Sequence, residues 1–397
     1  MNTLYGHLSY CSNIHPGEDW KEHFEVLKNS IPQIKAEVCP DASMGIGLRL
    51  ANQASIDLSE SQNFETFKKW LLDNKCYVFT MNGFPYGDFH NIVVKDKVHA
   101  PDWTTPERTD YTIRLFRLLA KLLPDNLYEG GVSTSPLSYR YWWPTEPALE
   151  EAILNATKNI VSVVEALIEI KETTGKTLHL DIEPEPDGIL ENSNEFIDWY
   201  NTYLLPLGVE YFQSKGFSSE NATEAIKTHI QLCYDVCHFA VGFEAPEEVI
   251  KKLDFQGLKV GKIQISSALK VDFSTQVQEK LQMIAKYNEP TYLHQVVAKK
   301  KDGSFVKFPD LNEAIAGFND EIISWRVHFH VPLFLEQYGL LESTQTDIIK
   351  TLNLHKEKNF TKHLEIETYT WGVLPKEFQL PLNESIAREI NWVKEIL

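Results

Sequence analysis

One stretch of the chain pairs a carboxylate with an imidazole at a spacing that suits metal binding. Residues 231–234 are apolar or tolerate an extended backbone, Asp235 follows them, and His238 comes three residues later. We interpret the stretch as a β-strand that ends at Asp235, with His238 in the turn beyond it. A carboxylate and an imidazole at the C-terminal end of one strand can bind the same divalent cation. A structural pair that is joined by a hydrogen bond would have the same spacing.

Three further strand-like segments end in side chains that can bind a cation. Their polar ends carry Glu183, Gln264 and Glu367. A later extended segment places His328 and His330 on one face. Each residue alone is commonly a solvated or hydrogen-bonded loop residue. Several carboxylates at one place, however, would repel one another and take up protons unless a cation lay between them, so the set predicts a metal site.

The order of the elements predicts how these strand ends come together. Strand-like segments alternate with amphipathic helical ones, which is typical of βα units and a parallel sheet. We predict eight principal strands, at 10–15, 44–50, 76–81, 130–134, 178–183, 231–235, 260–266 and 363–368. Eight such units predict an α/β fold, the (β/α)8 TIM barrel, whose active site lies at the C-terminal ends of the strands.

One departure from the alternation is predicted between strands seven and eight. Residues 292–297 and 304–308 are strand-like and flank Lys301-Asp302-Gly303, a strong β-hairpin signal. We interpret the region of about 288–325 as a hairpin insertion on the barrel. The chain, 1–397, is then a single TIM-barrel domain.

Five residues are candidates for contact with a substrate. Trp142 lies in an aromatic loop that either packs over the barrel end or forms a wall against a sugar ring. Arg49 and Lys262 either bind a phosphate or carboxylate group or form internal salt bridges. His15 ends one predicted strand and Asn82 follows another, and His15 is equally consistent with a structural role.

Composition excludes several classes of protein. The 397 residues are 43% hydrophobic, enough for a large core, and the net charge of −18 disfavours a general affinity for nucleic acid. The chain contains no apolar run near the ~20 residues of a membrane span, and residues 1–8 do not resemble a secretory signal. Five scattered cysteines without a CxxC pair favour neither disulfides nor a thiolate zinc site, so we expect a cytoplasmic protein without membrane insertion.

The strand ends resemble a known superfamily. Glu183, Asp235-x-x-His238, a polar residue on strand seven and Glu367 are similar to the pattern of xylose isomerase-like barrels. That group includes sugar-phosphate isomerases and epimerases, ketose 3-epimerases and apurinic endonucleases of the endonuclease IV type. Residues 234–238 are similar to the group's Leu-Asp-Thr-Cys-His run. The resemblance implies a metal-dependent barrel.

The chain also departs from the superfamily pattern. Gln264, a weaker oxygen donor, stands where the epimerases supply a histidine, and His328 stands where the endonucleases have an aspartate. The endonucleases' two early histidine ligands fall near Arg49 and Asn82, which do not match. A three-metal phosphodiesterase is therefore not predicted.

A closer resemblance extends from end to end of the chain. Residues 10–18, 180–186, 325–332 and 364–371 are similar to the EboE family of metabolite-traffic proteins. This resemblance implies a role in a bacterial gene cluster that moves a metabolite precursor toward the periplasm, beside a prenyltransferase-like membrane protein. It implies no particular reaction.

These observations favour a metal-dependent isomerase or epimerase that acts on a polyol, sugar or sugar-like metabolite. We expect Glu183 and Glu367 to exchange a proton with a substrate carbon while the metal polarises a carbonyl. The expected ligands, or residues that support them, are Glu183, Asp235, His238, Gln264, His328, His330 and Glu367. This ligand set favours Zn²⁺ or Mn²⁺, with Fe²⁺ or Mg²⁺ as alternatives.

Two other functions remain open from the sequence. A barrel with little or no turnover could bind or escort a metabolite, and the aromatic loops and the departures at Gln264 and His328 are consistent with this. A metal-dependent hydrolase is the third candidate. The substrate and the oligomeric state are not predicted.

Overall fold

A computed structural model describes residues 1–87, 93–376, 379 and 381–397. The strands are β1 (Asn2–Thr3), β2 (Gly6–Tyr10), β3 (Met44–Arg49), β4 (Cys76–Asn82), β5 (Glu129–Thr134), β6 (Thr177–Ile182), β7 (Ile230–Asp235), β8 (Val260–Ile265), β9 (Leu269–Asp272), β10 (Val296–Lys300), β11 (Phe305–Phe308), β12 (Ile322–Val327), β13 (Gln337–Tyr338), β14 (Leu341–Ser343) and β15 (His363–Ile366). The helices are α1 (Trp20–Val38), α2 (Asn52–Leu58), α3 (Ser61–Asp73), α4 (Pro106–Leu122), α5 (Glu146–Thr174), α6 (Ser193–Trp199), α7 (Leu205–Ser214), α8 (Ser219–His229), α9 (Val236–Val241), α10 (Pro246–Gln256), α11 (Val277–Ile284), α12 (Leu311–Ala316), α13 (Gln345–Lys358) and α14 (Leu382–Ile396).

Eight strands of the described chain form a parallel barrel. Their order around the barrel is β2-β15-β8-β7-β6-β5-β4-β3. A parallel bridge between Cys11 and Gly47 joins β2 to β3 and closes the ring. Helices connect most successive strands, as right-handed βα units require. The predicted (β/α)8 barrel is confirmed.

The first barrel strand begins earlier than the sequence indicated. It spans Gly6–Tyr10, whereas a 3₁₀ turn occupies Ser12–Ile14 within the predicted strand. The turn forms because the His15 amide donates to the Ser12 carbonyl, while the Ser12 hydroxyl accepts from the Arg49 amide. Such local polar bonds compete with the strand ladder and end it.

A second sheet covers the barrel on the side of the predicted insertion. The hairpin around Gly303 is present and joins β10 to β11. It is one edge of a six-stranded antiparallel sheet with the order β11-β10-β12-β9-β14-β13. This sheet already begins at Leu269 and ends at Ser343, beyond the region of about 288–325 in which the hairpin was predicted. Trp325 and Val327 of β12 are buried in the hydrophobic core that also contains the barrel strands.

Polar side chains fill part of the barrel interior. Glu365 on β15 is fully buried and lies against Gly47 of β3. A Cβ atom at Gly47 would lie 1.9 Å from a carboxylate oxygen of Glu365, so this place in the barrel wall requires glycine. The interior therefore contains charged groups where barrels usually pack branched aliphatic residues.

The outer helices bury one face against this barrel. In α14, Ile386, Ile390 and Val393 are buried, and the helix packs beside α1. Among the residues that the structure describes, none of the helices has the length and apolar character required to cross a membrane.

Candidate metal centre at the C-terminal end of the barrel

Three carboxylates meet where β6, β7 and β15 end. Glu183 and Glu367 directly follow β6 and β15, and Asp235 is the last residue of β7. One oxygen of each lies within 4.8 Å of the others, and all three side chains are buried. The parallel register of the barrel produces this convergence, because the C-terminal ends of its strands share one rim. The structure thus brings together three residues that the sequence assigned to one site.

Burial and mutual repulsion perturb two of these acids. Burial is the main cause that raises the pKa of Glu183 well above its usual value, and the charges of Glu367 and Asp235 raise it further. The pKa of Glu367 is raised in the same way, first by burial and then by Asp235. The cluster therefore favours either bound protons or a cation that neutralises it.

Asp235 explains the spacing of the Asp-x-x-His motif. Its Oδ1 accepts from the backbone amide of His238 at 3.1 Å and so caps α9, and it also accepts from the Ser266 hydroxyl at 2.6 Å. The cap fixes His238 in the first turn of the helix. Oδ2 accepts no hydrogen bond within the described residues and lies 3.9 Å from His238 Nε2. One oxygen of Asp235 is thus structural, and the other is left for a ligand.

Glu367 is held by two amide side chains. Its Oε1 accepts from Asn13 Nδ2 at 2.6 Å and from Asn82 Nδ2 at 3.1 Å. Asn82 was predicted as a substrate contact, and it lines the cleft beside Glu367. The two amides fix one carboxylate oxygen, so the orientation of Glu367 is set before any substrate binds.

Two histidines of the site donate their Nδ1 hydrogens to backbone carbonyls. His238 Nδ1 lies 3.1 Å from the Pro184 oxygen, and His330 Nδ1 lies 2.9 Å from the Glu367 oxygen. A carbonyl oxygen only accepts, so the hydrogen is on Nδ1, and in the neutral ring Nε2 presents a lone pair. His330 Nε2 makes no hydrogen bond within the described chain. This arrangement is usual for histidines that bind a metal through Nε2.

His328 has the same orientation through a glutamine. Gln295 Nε2 donates to the Pro186 carbonyl at 3.2 Å, which directs Gln295 Oε1 toward His328 Nδ1 at 2.8 Å. His328 therefore also presents a lone pair on Nε2. The sequence analysis did not identify Gln295 as part of the site, because nothing in its local pattern marks it.

Two of these lone pairs face each other. The Nε2 atoms of His238 and His328 are 3.0 Å apart, and burial lowers the pKa of both rings well below the usual value. Two neutral acceptors at this distance repel unless a cation lies between or beside them. On a tetrahedral zinc ion, with bonds of ~2.0–2.1 Å, two nitrogens are roughly 3.3 Å apart. The histidine and carboxylate donors therefore fit a divalent metal.

Gln264, the other predicted ligand, lies in the barrel interior. Its Oε1 accepts from the Cys233 thiol at 2.9 Å, and the side chain is fully buried. It pairs in register with Asp235 of β7 and with Glu365 of β15. The structure thus gives the Gln264 oxygen another partner.

An aromatic cleft opens above the carboxylates and histidines. Its cavity volume is about 60 Å³, so the enclosed part of the cleft is narrow. Phe84, Tyr292 and Tyr369 line it, and the Tyr369 ring lies 4.7 Å from the His330 ring. The long connection after β4 contributes His99, so it covers the site.

Glu185 is a cleft residue that the sequence analysis did not assign. Its Oε1 lies 3.0 Å from His99 Nε2. A carboxylate oxygen of Glu185 also lies within 4.8 Å of a ring nitrogen of His238 and of His328. The available signal was its place two residues after Glu183, between two prolines. A carboxylate there adds negative charge to the imidazole side of the site.

Two residues that were predicted to contact a substrate instead form hydrogen bonds to other parts of the protein. The Arg49 guanidinium donates to the carbonyls of Pro85 and Gly87, so it supports the connection after β4. His15 Nε2 lies 2.8 Å from the Tyr10 hydroxyl. Both side chains are buried, and neither is among the residues that line the cleft.

Trp142 lies behind the cleft wall. Its Nε1 donates to Asp96 at 2.7 Å, and its ring meets the His99 ring edge-on at 6.3 Å. His99 lines the cleft, whereas Trp142 is not among the lining residues. The aromatic loop thus supports a residue of the site.

Lys262 forms an internal ion pair. Its Nζ is 2.8 Å from Glu365 Oε2, and it also donates to the Met81 carbonyl at 3.0 Å and the Ser133 hydroxyl at 3.2 Å. Both charged side chains are fully buried. Of the two readings that the sequence left open, the structure shows the internal salt bridge.

We expect Lys262→Met to lower the free energy of unfolding by about 3–5 kcal/mol, because it leaves Glu365 buried without a counter-charge. The double variant Lys262→Met/Glu365→Leu should recover most of this loss. Urea unfolding measures both. Lys69→Met, which breaks an exposed pair with Asp73, is the control and should cost no more than about 1 kcal/mol. Equal losses in the single and double variants would contradict the ion-pair account.

Comparisons with known proteins give the fold. No protein-family model and no curated protein matches the chain. A xylose isomerase-like TIM barrel protein from Mycobacterium smegmatis, solved in complex with magnesium, is 11% identical, with a TM-score of 0.51 and 99% of this chain and 96% of that chain covered. A D-tagatose 3-epimerase-like protein is 11% identical (TM-score 0.49, coverage 98% and 96%), and the IolI protein with a zinc atom is 12% identical (TM-score 0.47, coverage 98% and 97%). The chain has the fold of the xylose isomerase-like TIM barrels.

Proposed function

We propose that the protein is a divalent-metal-dependent isomerase or epimerase that acts on a polyol, sugar or sugar-like metabolite. The main support is the orientation of three histidines. His238, His328 and His330 each turn Nδ1 toward a carbonyl oxygen and present Nε2 beside the buried carboxylates. This donor set suits a cation and lies at the rim where the active sites of TIM-barrel enzymes are built.

The metal would be held by residues from both halves of this cluster. The proposed ligands are Glu183, Asp235, His238, His328, His330 and Glu367, with Gln264 supporting them. When bound, the metal supplies a positive charge that polarises a substrate carbonyl. Mixed imidazole and carboxylate donors favour Zn²⁺ or Mn²⁺, while Fe²⁺ and Mg²⁺ remain alternatives.

Glu183 and Glu367 are proposed to take a proton from one substrate carbon and return it. Burial raises the pKa of both carboxyls, and a raised pKa brings a carboxyl closer to the operating pH of a general acid or base. Asn13 and Asn82 hold one oxygen of Glu367 and leave the other for the proton. The aromatic side chains of the cleft would exclude water from the reacting carbon.

The cellular setting is part of the proposal. All five cysteines are free and buried, which suits a reducing compartment such as the cytoplasm. The resemblance to the EboE family gains no support from the comparisons. It remains a suggestion that the substrate is a metabolite precursor of such a gene cluster.

A second candidate is a barrel that binds or escorts a metabolite without turnover. It is favoured by Gln264, whose oxygen is already bonded to Cys233 instead of facing the cleft. With fewer strong ligands from β8, the same cleft would bind a polar ring compound against Tyr292 and Tyr369 without chemistry.

Deuterium exchange separates the two candidates. The protein, reloaded with zinc or manganese, is incubated in D₂O with ketoses, polyols and sugar phosphates, and proton NMR follows the C–H signals. We expect deuterium to enter next to a carbonyl or at an epimerised carbon only in the metal-loaded protein. Binding of a compound without exchange would favour the escort, and exchange that persists after chelation would contradict metal assistance.

A further inference from the structure

A second cluster of metal-binding side chains lies at the opposite end of the barrel. Glu129 begins β5, His363 begins β15 and His179 lies near the start of β6, and their ligand atoms lie within 4.8 Å of one another. Glu183 lies four residues after His179 along the chain, which is about 13 Å at ~3.3 Å per residue. The proposed function makes no use of this cluster.

Two buried nitrogens in the cluster have no hydrogen bond within the described residues. These are His179 Nε2 and His363 Nδ1, and both side chains are only 1% exposed. His179 Nε2 lies 3.6 Å from Glu129 Oε1, too far for a good hydrogen bond. Buried ring nitrogens without partners are uncommon and call for a ligand.

Asp181 holds His179 in the orientation that a metal requires. Asp181 Oδ1 lies 2.6 Å from His179 Nδ1, so Nδ1 carries the hydrogen and Nε2 is directed toward Glu129. A carboxylate behind a histidine is a common support for zinc ligands. Gly131 on the adjacent strand β5 and Gly261 on β8 make room for the pair, because a Cβ atom there would come within 2.5 Å and 1.8 Å of Asp181 oxygens.

A cavity gives access to the cluster from solvent. It has a volume of about 270 Å³ and is lined by Glu129 and His179, among others. The lysines at its rim, Lys259 and Lys362, are exposed and can turn away. An ion and its water ligand can therefore approach Glu129 and His179 from this cavity.

We propose that Glu129, His179 and His363 bind a Zn²⁺ ion, with a water molecule from the cavity as the fourth ligand. Two histidines and one glutamate form a known zinc ligand set. The charge of the ion is balanced by Glu129 and Asp181, and the nearby Lys262 is already neutralised by Glu365. Since β6 and β15 are separated by β7 and β8, the ion links strands across the barrel interior.

A proton on His179 is the competing occupant. Burial lowers the pKa of His179, but Asp181 and Glu129 together raise it to about 9. A protonated ring would satisfy the contact to Glu129, yet it would leave His363 Nδ1 without a partner. Zinc would engage both histidines, because a ligand atom of His363 lies within 4.8 Å of those of His179 and Glu129, and this is why we favour the metal.

Metal stoichiometry tests this site independently of the proposed function. Zinc content and the visible absorption of bound Co²⁺ are measured in the wild type, in Glu129→Gln, in Asp235→Ala and in the double variant. We expect Glu129→Gln to remove one equivalent in both backgrounds, or to weaken its binding by about 100-fold or more. An equivalent of metal that is lost in Asp235→Ala but retained in Glu129→Gln belongs to the cluster at the C-terminal rim.

The variant at Glu129 keeps the test interpretable. The Glu129 side chain is 54% exposed, so glutamine there should fold normally, and circular dichroism without metal verifies this. Glu172→Gln, on the exposed face of α5, is the matched control and should retain every equivalent. Zinc stoichiometry and affinity that are unchanged by Glu129→Gln in both backgrounds would overturn the proposal and favour the proton.

Discussion

Replacing Glu183 or Glu367 with glutamine is expected to slow exchange between a substrate C–H and solvent deuterium by about 10²–10⁴-fold, the usual contribution of a general acid or base. Glutamine has nearly the same shape as glutamate but cannot accept and return a proton. In Glu367→Gln the amide oxygen can still accept from Asn13 and Asn82, so the orientation of the side chain is preserved. Proton NMR in D₂O measures the rate with the substrate found for the wild type.

Two controls separate proton transfer from metal loss and from misfolding. The metal content of each variant is measured, and rates are compared at full metal occupancy. Glu389→Gln changes a buried glutamate that bonds to Thr368 and the Leu333 amide away from the cleft, and it should leave exchange largely unchanged. Undiminished exchange in both Glu183→Gln and Glu367→Gln would show that the assignment of the acid and base is wrong.

The sequence was sufficient for those parts of the site that follow from strand periodicity. Glu183, Asp235 and Glu367 each come at the end of an apolar strand, and a parallel barrel brings such ends to one rim. The histidine at Asp-x-x-His could be placed too, because its spacing is that of a helix cap. Local pattern and fold class together therefore predict which side chains meet.

Residues that act through long-range contacts could not be found in this way. Gln295, the residue before β10 of the second sheet, orients His328, and Asn13 holds Glu367 across more than 350 residues of chain. Neither contact leaves a periodic trace in the sequence. The second sheet was underestimated for a similar reason, since β13 and β14 have only two and three residues.

From the sequence alone, a charged residue on a barrel strand can be either a substrate contact or part of an internal ion pair. Lys262 alternates inward on β8, as a substrate-binding lysine would, but it meets Glu365 before it reaches the rim. Arg49 ends β3 at the correct rim, yet the connection after β4 folds over it and takes its hydrogen bonds. Deciding between a ligand contact and an internal pair requires the depth of each side chain, which periodicity does not supply.

Asp235→Ala is expected to lower metal affinity by about 100-fold or more, since it removes a carboxylate between the imidazole and carboxylate halves of the site. Loss of a residue that merely supports a ligand already costs about 10–100-fold. Metal content of protein purified without chelator, and titration with zinc or manganese, measure the effect.

The two functions of Asp235 can be separated by a conservative change. Asp235→Asn retains an oxygen that accepts from the His238 amide and the Ser266 hydroxyl, but it removes the negative charge. It should keep the fold and still lose most of the metal. Asp19→Ala removes an equivalent cap from α1, away from the cluster, and should cost about 1 kcal/mol of stability without changing metal content.

The outcomes also decide between the enzyme and the escort. Unchanged metal in both Asp235 variants would exclude Asp235 as a ligand, and the histidines would then have to hold the ion with Glu185. A wild type that takes up neither zinc nor manganese at the C-terminal rim would show that no metal separates the facing Nε2 atoms of His238 and His328. The rim would then be a polar binding surface, and the compound that copurifies with the protein would identify its ligand.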